Sequence, residues 1–270
     1  MAKLFSVLSW NVEHFRGEVK KRVDDVTAQI KNLNPDVFAL YEVEGKEVFS
    51  SFTSIMPDYN FHITEGPQTQ EILVGAKNNF SSFFTQKLEF KSGNQYLRPG
   101  LLLTITIDNQ IYSLLFLHTK SGTNPLGLGI RDDMFIRACT FRKVLEGTAK
   151  KWDTKYLFLG DLNTMGMEYP YGKSINAKTE IKKLAEKEAL KVKMRILKKD
   201  EPASWWNGSK SKMSPSNLDQ VVVSNNLKFK KYSGAEVTVL GWPKETTVEK
   251  KDEWIKRYSD HGILFFEIQK

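Results

Sequence analysis

Acidic, amide and histidine side chains adjoin the ends of several apolar runs, where together they could bind a divalent metal ion. Asn11 and Glu13 follow the first run, and Glu42 follows the second. Asp161 and Asn163 follow a run in the middle of the chain. The other candidates of this kind are His118, Asp219, Asp260 and His261. Carboxylate and amide oxygens are hard ligands, so this set of residues favours Mg²⁺, with Mn²⁺ as an alternative.

A magnesium ion beside histidines would suit the hydrolysis of a phosphate ester. Mg²⁺ usually takes one or two carboxylates and leaves its other positions to water and substrate phosphate. The ion stabilises charge on the phosphoryl oxygens and orients or acidifies a water molecule. A histidine held by a carboxylate can donate a hydrogen bond to phosphate or transfer a proton. Phosphoester hydrolysis is therefore the predicted chemistry if these side chains converge.

Each of these residues, taken alone, also has a structural interpretation. Asp161 and Asn163 are of types common in turns, and Glu42 could be a charge at a helix N-terminus. His118 alone could be an edge residue whose hydrogen bonds are satisfied. The recurrence of such clusters at successive strand ends favours a shared site, because strand ends can bring side chains into one crevice.

The elements that must position these side chains alternate between apolar strands and amphipathic helices. Predicted strands span residues 5–10, 37–41, 59–64, 72–76, 80–90, 101–107, 111–117, 156–159, 218–223 and 262–268. Predicted helices span residues 19–33, 45–56, 130–149 and 181–189. Asp108 and Asn109 predict a tight hairpin turn. We expect an α/β fold with two mixed sheets face to face and helices outside, in a single domain over residues 1–270.

Composition limits the classes of protein that remain. The 270-residue chain is 40% hydrophobic and 27% charged, which predicts a substantial core. No apolar run is long enough for a transmembrane helix, so no integral membrane association is expected. Cys139 is the only cysteine, which favours a packing role and a reducing, cytoplasmic location. The net charge of +8 favours polyanionic partners, and a monomer is the favoured state.

Signals for three other kinds of site are absent from the sequence. A serine hydrolase would show a G-x-S-x-G elbow, and a phosphate-binding loop would show G-x-x-x-x-G-K-[ST]. The chain has only four histidines, too few for a histidine-rich zinc or two-metal phosphatase. The acidic and amide set at the strand ends therefore remains the best candidate.

Six segments resemble the endonuclease/exonuclease/phosphatase superfamily, which includes DNase I, exonuclease III-type abasic-site endonucleases, neutral sphingomyelinases and inositol-polyphosphate 5-phosphatases. In chain order they read SWNVEHF, YEVEG, LHTKSG, GDLNTM, SNLDQVVVS and SDHGILFFEI. The pair GDLN and SDH is the most specific part of the resemblance. The resemblance implies a four-layer α/β sandwich and Mg²⁺-dependent phosphoester hydrolysis.

The resemblance also implies which residues would bind the metal ion. Glu42 would be the main ligand, with Asn11 beside it. Glu13 lies where exonuclease III-like members place a second acid. Asp260 would ligate the metal ion or orient it.

The remaining motif residues would act on water and on phosphate. Asp161 would orient or activate the attacking water, and Asn163 would position the scissile phosphate. His261 would contact the phosphate and stabilise the transition state, oriented by Asp219. These roles combine positioning with stabilisation of negative charge on the phosphoryl oxygens.

Two residues bear on the branch of the superfamily. His118 in LHTKSG resembles DNase I, the sphingomyelinases and the phosphoinositide phosphatases, which disfavours abasic-site repair. Arg98 in YLRPG resembles an arginine that approaches phosphate in DNase I-like members, and it could equally be a loop arginine before Pro99.

The favoured function is a Mg²⁺-dependent phosphodiesterase, most simply a nuclease that acts on DNA or RNA. The alternative enzyme is a phosphatase or phospholipase C-like enzyme on inositol phosphates or phospholipids, and the alternative class is a non-catalytic nucleic-acid-binding module. Trp205 and Trp206 could form a platform for bases or could cap the core. Loops 66–70, 121–129 and 204–215 are expected to set specificity.

Overall fold

Two β-sheets carry the candidate residues, as seen in a computed structural model that describes residues 2–17, 20–65, 70–147 and 152–270. The first sheet contains β1 (Lys3–Arg16), β2 (Val37–Glu44), β3 (Tyr59–Ile63), β4 (Glu71–Lys77), β11 (Lys228–Phe229), β12 (Thr238–Leu240) and β13 (Ile263–Gln269). The second contains β5 (Ser81–Lys87), β6 (Gly100–Ile107), β7 (Gln110–His118), β8 (Lys155–Asp161), β9 (Met194–Ile196) and β10 (Asp219–Ser224). The helices are α1 (Lys20–Leu33), α2 (Lys46–Ile55), α3 (Pro125–Glu146), α4 (Ala177–Lys183) and α5 (Val248–Arg257).

Both sheets are mixed, as predicted. The first has the order β11-β13-β1-β2-β4-β3, with β12 also paired to β13, and its parallel pair is β1 with β2. The second has the order β5-β6-β7-β8-β10-β9, and its parallel pair is β7 with β8. In each sheet a helix lies between the two parallel strands in sequence, because a parallel pair needs a long crossover.

Apolar side chains divide the molecule into four layers. One buried cluster lies between the sheets and takes alternate residues from each, such as Val7 and Ala39 from the first and Leu114 and Leu159 from the second. A second cluster joins the outer face of the first sheet to α1, α2 and α5. A third joins the second sheet to α3, where Cys139 is buried. This order, helices, sheet, sheet, helices, confirms the predicted fold class.

Several predicted boundaries were wrong. The first strand continues to Arg16, so Asn11 and Glu13 lie within it and not beyond its end. The strand predicted over residues 80–90 ends at Lys87 and is followed by a turn of 3₁₀ helix. Residues 125–129, which were expected to be loop, form the start of α3, where the Asn124 side chain accepts a hydrogen bond from the Gly127 N–H. Val19 and Ala149, at the ends of two predicted helices, lie outside the described residues.

The predicted hairpin turn is present between β6 and β7. Asp108 and Asn109 have φ values of 50° and 59° and connect β6 to β7 in a two-residue turn. Within the described ranges, no helix is long and apolar enough to cross a membrane.

Candidate active site

Strand pairing brings three candidate residues side by side, at the ends of neighbouring inner strands of the second sheet. His118 at the end of β7 lies opposite Asp161 at the end of β8. Asp161 in turn lies opposite Asp219 at the start of β10. The first sheet contributes Asn11 from β1 and Glu42 from β2, so the site forms where the two sheets meet.

Asn11 links the carboxylates of the two sheets. Its amide nitrogen donates hydrogen bonds to Glu42 Oε1 at 3.0 Å and to Asp161 Oδ2 at 2.9 Å. Its amide oxygen accepts from the backbone N–H of Glu13 at 3.0 Å. The amide nitrogen therefore faces the carboxylates, and metal ligation by the Asn11 oxygen stays a prediction.

Asp161 is the central buried acid of the site. Its Oδ1 accepts a hydrogen bond from the Asn163 N–H at 3.0 Å, which ties together the two polar residues of GDLN. Burial raises the pKa of Asp161 to about 7, against the opposing effect of the nearby His261. Gly160 precedes it with φ 137°, and a Cβ there would lie 2.1 Å from the Leu117 carbonyl oxygen. Only glycine therefore allows Asp161 to approach β7 so closely.

His261 and Asp219 form a buried pair. His261 Nδ1 lies 2.9 Å from Asp219 Oδ2, and His261 Nε2 lies 3.7 Å from Asp161 Oδ2. Burial alone would lower the pKa of His261, but Asp219 and Asp161 outweigh it and raise that pKa to about 10. His261 is therefore an imidazolium at neutral pH, with Nε2 directed at the acidic cluster.

His118 and Arg98 bring further donors to the cavity. His118 Nε2 lies 3.5 Å from Asp161 Oδ2 and 3.9 Å from Glu42 Oε1. Burial lowers the pKa of His118 well below its usual value, and Arg98 adds to that effect. Arg98 Nη2 donates to Gln70 Oε1 at 3.3 Å, and Arg98 Nε is buried without a hydrogen-bond partner among the residues described.

Glu13 and Asp260 form a second acidic pair in the wall of the cavity. Burial raises the pKa of both carboxyl groups, and the charge of Asp260 adds to the effect on Glu13. The indole N–H of Trp205 donates to Asp260 Oδ2 at 2.6 Å. Trp206 instead packs against Trp242 with ring centroids 5.8 Å apart. The two tryptophans proposed as a platform therefore have different surroundings, and only Trp205 borders the cavity.

Several residues at the site adopt backbone conformations that are rare for side chains other than glycine. Glu13, His14, Glu42 and Asn163 have φ values of 42°, 45°, 60° and 48°. Asparagine tolerates this left-handed region, whereas glutamate and histidine adopt it less readily. Backbone strain of this kind concentrates at functional sites, where the surrounding structure fixes it in place.

A cavity of about 470 Å³ contains most of the predicted residues. Its wall includes Glu13, Glu42, Arg98, His118, Asp161, Asn163, Asp260 and His261. Asn11 and Asp219 lie behind this wall and contact it through Asp161 and His261. The three loops expected to set specificity also contribute to the wall, through Gln70, Thr123 and Met213, and Met165 of the GDLNTM segment lies there as well. Of the loops expected to set specificity, residues 66–69 lie outside the described residues.

The donor atoms fit a divalent cation. Ligand atoms of Glu42, His118 and Asp161 lie within 4.8 Å of one another, as do those of Asp161, Asp219 and His261. Asp260 Oδ1 is buried and has no hydrogen-bond partner in the described part of the chain. Such a set of carboxylate oxygens suits a hard cation, which would supply the missing positive charge.

Comparison with known proteins gives structural relatives only. No family model matches the sequence, and no curated protein is significantly similar to it. The structure of TDP2 from C. elegans aligns with 98% of this chain and 75% of its own, at 18% identity and a TM-score of 0.68. D. rerio TDP2 complexed with single strand DNA product covers 98% of this chain and 99% of its own, at 15% identity and a TM-score of 0.65.

Two structures from Bacteroides thetaiotaomicron are also similar. A mannosyl-6-phosphatase matches at 12% identity and a TM-score of 0.64, covering 98% of this chain and 100% of its own. An endonuclease/exonuclease/phosphatase family protein matches at 13% identity and a TM-score of 0.63, covering 98% of this chain and 97% of its own. This chain therefore has the fold of the endonuclease/exonuclease/phosphatase superfamily, which the resemblance of its six segments predicted.

Proposed function

We propose that this protein is a divalent-metal-dependent phosphodiesterase that acts on nucleic acid. The observation that carries the proposal is the convergence of Glu42, Asp161 and His261 on one cavity from three separated segments. Glu42 would hold the metal ion, and Asp260, Glu13 and Asn11 would complete or orient its surroundings. The bound ion, Mg²⁺ or Mn²⁺, would stabilise negative charge on the phosphoryl oxygens.

The chain's own residues would position water and phosphate. Asp161, a buried carboxylate in the cavity wall, would accept a proton from the attacking water. A bond from that water oxygen to phosphorus forms as the phosphorus bond to the leaving oxygen breaks. The His261 imidazolium, together with Asn163 and Arg98, would donate hydrogen bonds to the phosphoryl oxygens. His118 would orient the phosphate beside them.

Charge supports nucleic acid as the substrate. The chain carries a net charge of +8, which would attract a polyanion from solution. The structurally similar TDP2 from D. rerio was solved with a single strand DNA product, and that ligand is of the class proposed here. The histidine at position 118 supports a DNase I-like rather than an abasic-site activity.

An assay with matched variants tests the proposal. Plasmid DNA, single-stranded RNA, bis-p-nitrophenyl phosphate and inositol polyphosphate would be incubated with Mg²⁺, Mn²⁺ or EDTA. We expect metal-dependent cleavage of nucleic acid that falls by about 10²–10⁴-fold in Asp161→Asn and His261→Ala. Asp58→Asn and His62→Ala, which alter the same residue types outside the cavity, should retain wild-type turnover.

The pattern of turnover separates the alternatives. Turnover of inositol polyphosphate without cleavage of nucleic acid would replace the nuclease with the phosphatase alternative. Nucleic-acid binding with no turnover of any substrate would favour the non-catalytic module. Cleavage that survives both EDTA and the Asp161→Asn change would contradict the proposed metal site and the role of Asp161.

A further inference from the structure

A short excursion of the chain, residues 166–176, stands beside the cavity and plays no part in the chemistry proposed above. Its two ends are joined by backbone hydrogen bonds between Met167 and Ile175, at 2.7 and 2.8 Å. The Glu168 N–H donates to the carbonyl oxygen of Thr123 at 2.6 Å. The first two bonds join the ends of the excursion to each other, and the third attaches it to the loop after β7.

The excursion borders the substrate cavity directly. Met165, just before it, and Ala177, just after it, both line the cavity. Thr123, to which the excursion is bonded, lines the cavity as well. A ligand that binds its phosphate at Asn163 and leaves the cavity between Met165 and Ala177 would therefore pass the excursion.

Two tyrosines on the excursion are turned toward solvent. Tyr169 is 41% exposed and Tyr171 is 89% exposed. Their ring centroids are 6.1 Å apart, with an angle of 81° between the planes, an edge-to-face contact. Gly172 lies close to the Tyr169 ring, since a Cβ at Gly172 would be 3.0 Å from Tyr169 Cδ1. The pair presents aromatic surface that the protein's own core does not use.

We propose that Tyr169 and Tyr171 bind an unstacked base of a single-stranded nucleic acid, next to the phosphate held in the cavity. Aromatic side chains stack on any base, because every base has a π face. Bases in a duplex are already stacked on one another, so a single strand offers this face at lower cost. Lys173, which is exposed two residues beyond Tyr171, can contact an adjacent backbone phosphate. This inference rests on the proposed function and names its substrate class.

Binding to two matched oligomers tests the inference. One would be an oligothymidylate, and the other an oligomer of equal length in which a tetrahydrofuran analogue replaces every nucleoside, so that it lacks bases. Binding would be measured by fluorescence anisotropy with Mg²⁺ in the Asp161→Asn background, which prevents cleavage. The variants would be Tyr169→Ala/Tyr171→Ala, Tyr169→Phe/Tyr171→Phe and, as an exposed aromatic control on β5, Phe83→Ala.

We expect the double alanine variant to bind oligothymidylate about tenfold more weakly or worse, with no change for the base-free oligomer. The double phenylalanine variant and Phe83→Ala should bind both oligomers as the background does, because a phenyl ring stacks as well as a phenol. Equal weakening for both oligomers would assign the tyrosines to sugar or backbone contacts and overturn the inference. Unchanged binding of oligothymidylate by the double alanine variant would overturn the inference too.

A second readout separates this inference from the proposed function. In the chain with an intact Asp161, the double alanine variant should cleave the base-free oligomer at the wild-type rate. Tyrosine-dependent binding of bases by a protein that hydrolyses neither oligomer would contradict the phosphodiesterase activity and leave the base site standing. Hydrolysis of both oligomers at rates that do not depend on the tyrosines would support the phosphodiesterase activity and contradict the base site.

Discussion

The charge of His261 is determined by carboxylates that are distant from it in the sequence. Asp219 lies 42 residues away along the chain, and its Oδ2 is 2.9 Å from His261 Nδ1. The sequence indicated both residues through the segments SNLD and SDH, and the resemblance predicted that one orients the other. The distances and the burial that together raise the pKa of His261 come from packing between two sheets, which no local pattern encodes.

Changing Asp219 to asparagine should therefore lower the pKa of His261 by about one unit or more, since an opposite charge in direct contact is lost. The measurement is a pH titration of the imidazole ¹⁵N resonances in metal-free protein. In the wild type we expect an imidazolium that persists to a pH of about 10. His62 serves as an internal control, because its pKa is lowered by burial and it makes no contact with Asp219.

The raised pKa of His261 also makes the free energy of unfolding depend on pH. His261 has a higher pKa in the folded than in the unfolded chain, where it is about 6.5. Its contribution to the free energy of unfolding is therefore complete below pH 6.5 and is lost as the pH rises through about 10. The difference in stability between wild type and Asp219→Asn should shrink over that interval. A difference that grows with pH would contradict a protonated His261.

At the scale of elements, a buried arginine on α3 holds two loops of the site together. Arg131 Nη1 donates to the Gly122 carbonyl oxygen at 2.8 Å, and its Nη2 donates to the Gly166 carbonyl oxygen at 2.7 Å. Its Nε donates to Glu180 Oε1 at 2.7 Å, and Glu180 Oε2 accepts from the Gly166 N–H. The loops after β7 and β8 are therefore anchored to α3 and α4 through one ion pair.

Breaking this pair should be costly, because either change leaves an uncompensated group in the interior. We expect Arg131→Met or Glu180→Gln to lower the free energy of unfolding by about 3–5 kcal/mol, measured by urea denaturation. The exposed pair Arg137–Asp133 on the same helix is the matched control, and Arg137→Met should cost about 0.5 kcal/mol or less. Similar losses at Arg131 and Arg137 would rule out an anchoring role for the buried pair.

The spacing of apolar residues predicted most elements. It failed where the buried residues are few and stand among polar or charged ones. The α5 helix was not predicted because charged residues dominate its segment, although Trp254 packs from it onto Trp10. The β1 strand was predicted too short because the polar residues from Asn11 onward break its apolar run. Arg131 could not be distinguished from a surface arginine, since its burial depends on Glu180 far along the chain.

At the scale of the whole molecule, the strand order lay beyond reach of the sequence pattern. Apolar runs indicate that strands are buried, but the pairing of β1 with β13 joins residues more than 250 positions apart. The four-layer arrangement was predicted from the resemblance of six short segments and from the mixture of helices and hairpins. Five of the six segments lie at strand ends and SWNVEHF lies within β1, so their convergence followed once the sheets were placed face to face.

Charge is distributed unevenly over this framework. The chain has a net charge of +8, yet Glu13, Glu42, Asp161 and Asp260 line a single cavity. Carboxylates confined in one crevice repel each other, and burial raises the pKa of Glu13, Asp161 and Asp260. The folded metal-free protein therefore carries an electrostatic cost at this site, and a bound divalent cation would relieve it.

Mg²⁺ should accordingly raise the melting temperature of the protein. A ligand that binds only the folded state at about ten times its Kd contributes about 1.4 kcal/mol, which corresponds to roughly 3 °C for a chain of this size. The measurement is thermal unfolding with MgCl₂ against EDTA, with NaCl added to equalise ionic strength. Glu42→Gln should lose most of this increase, while Glu65→Gln, an exposed glutamate outside the cavity, should keep it. An equal increase in both variants would contradict a metal site at Glu42. It would mean that Mg²⁺ binds elsewhere or acts as a general salt.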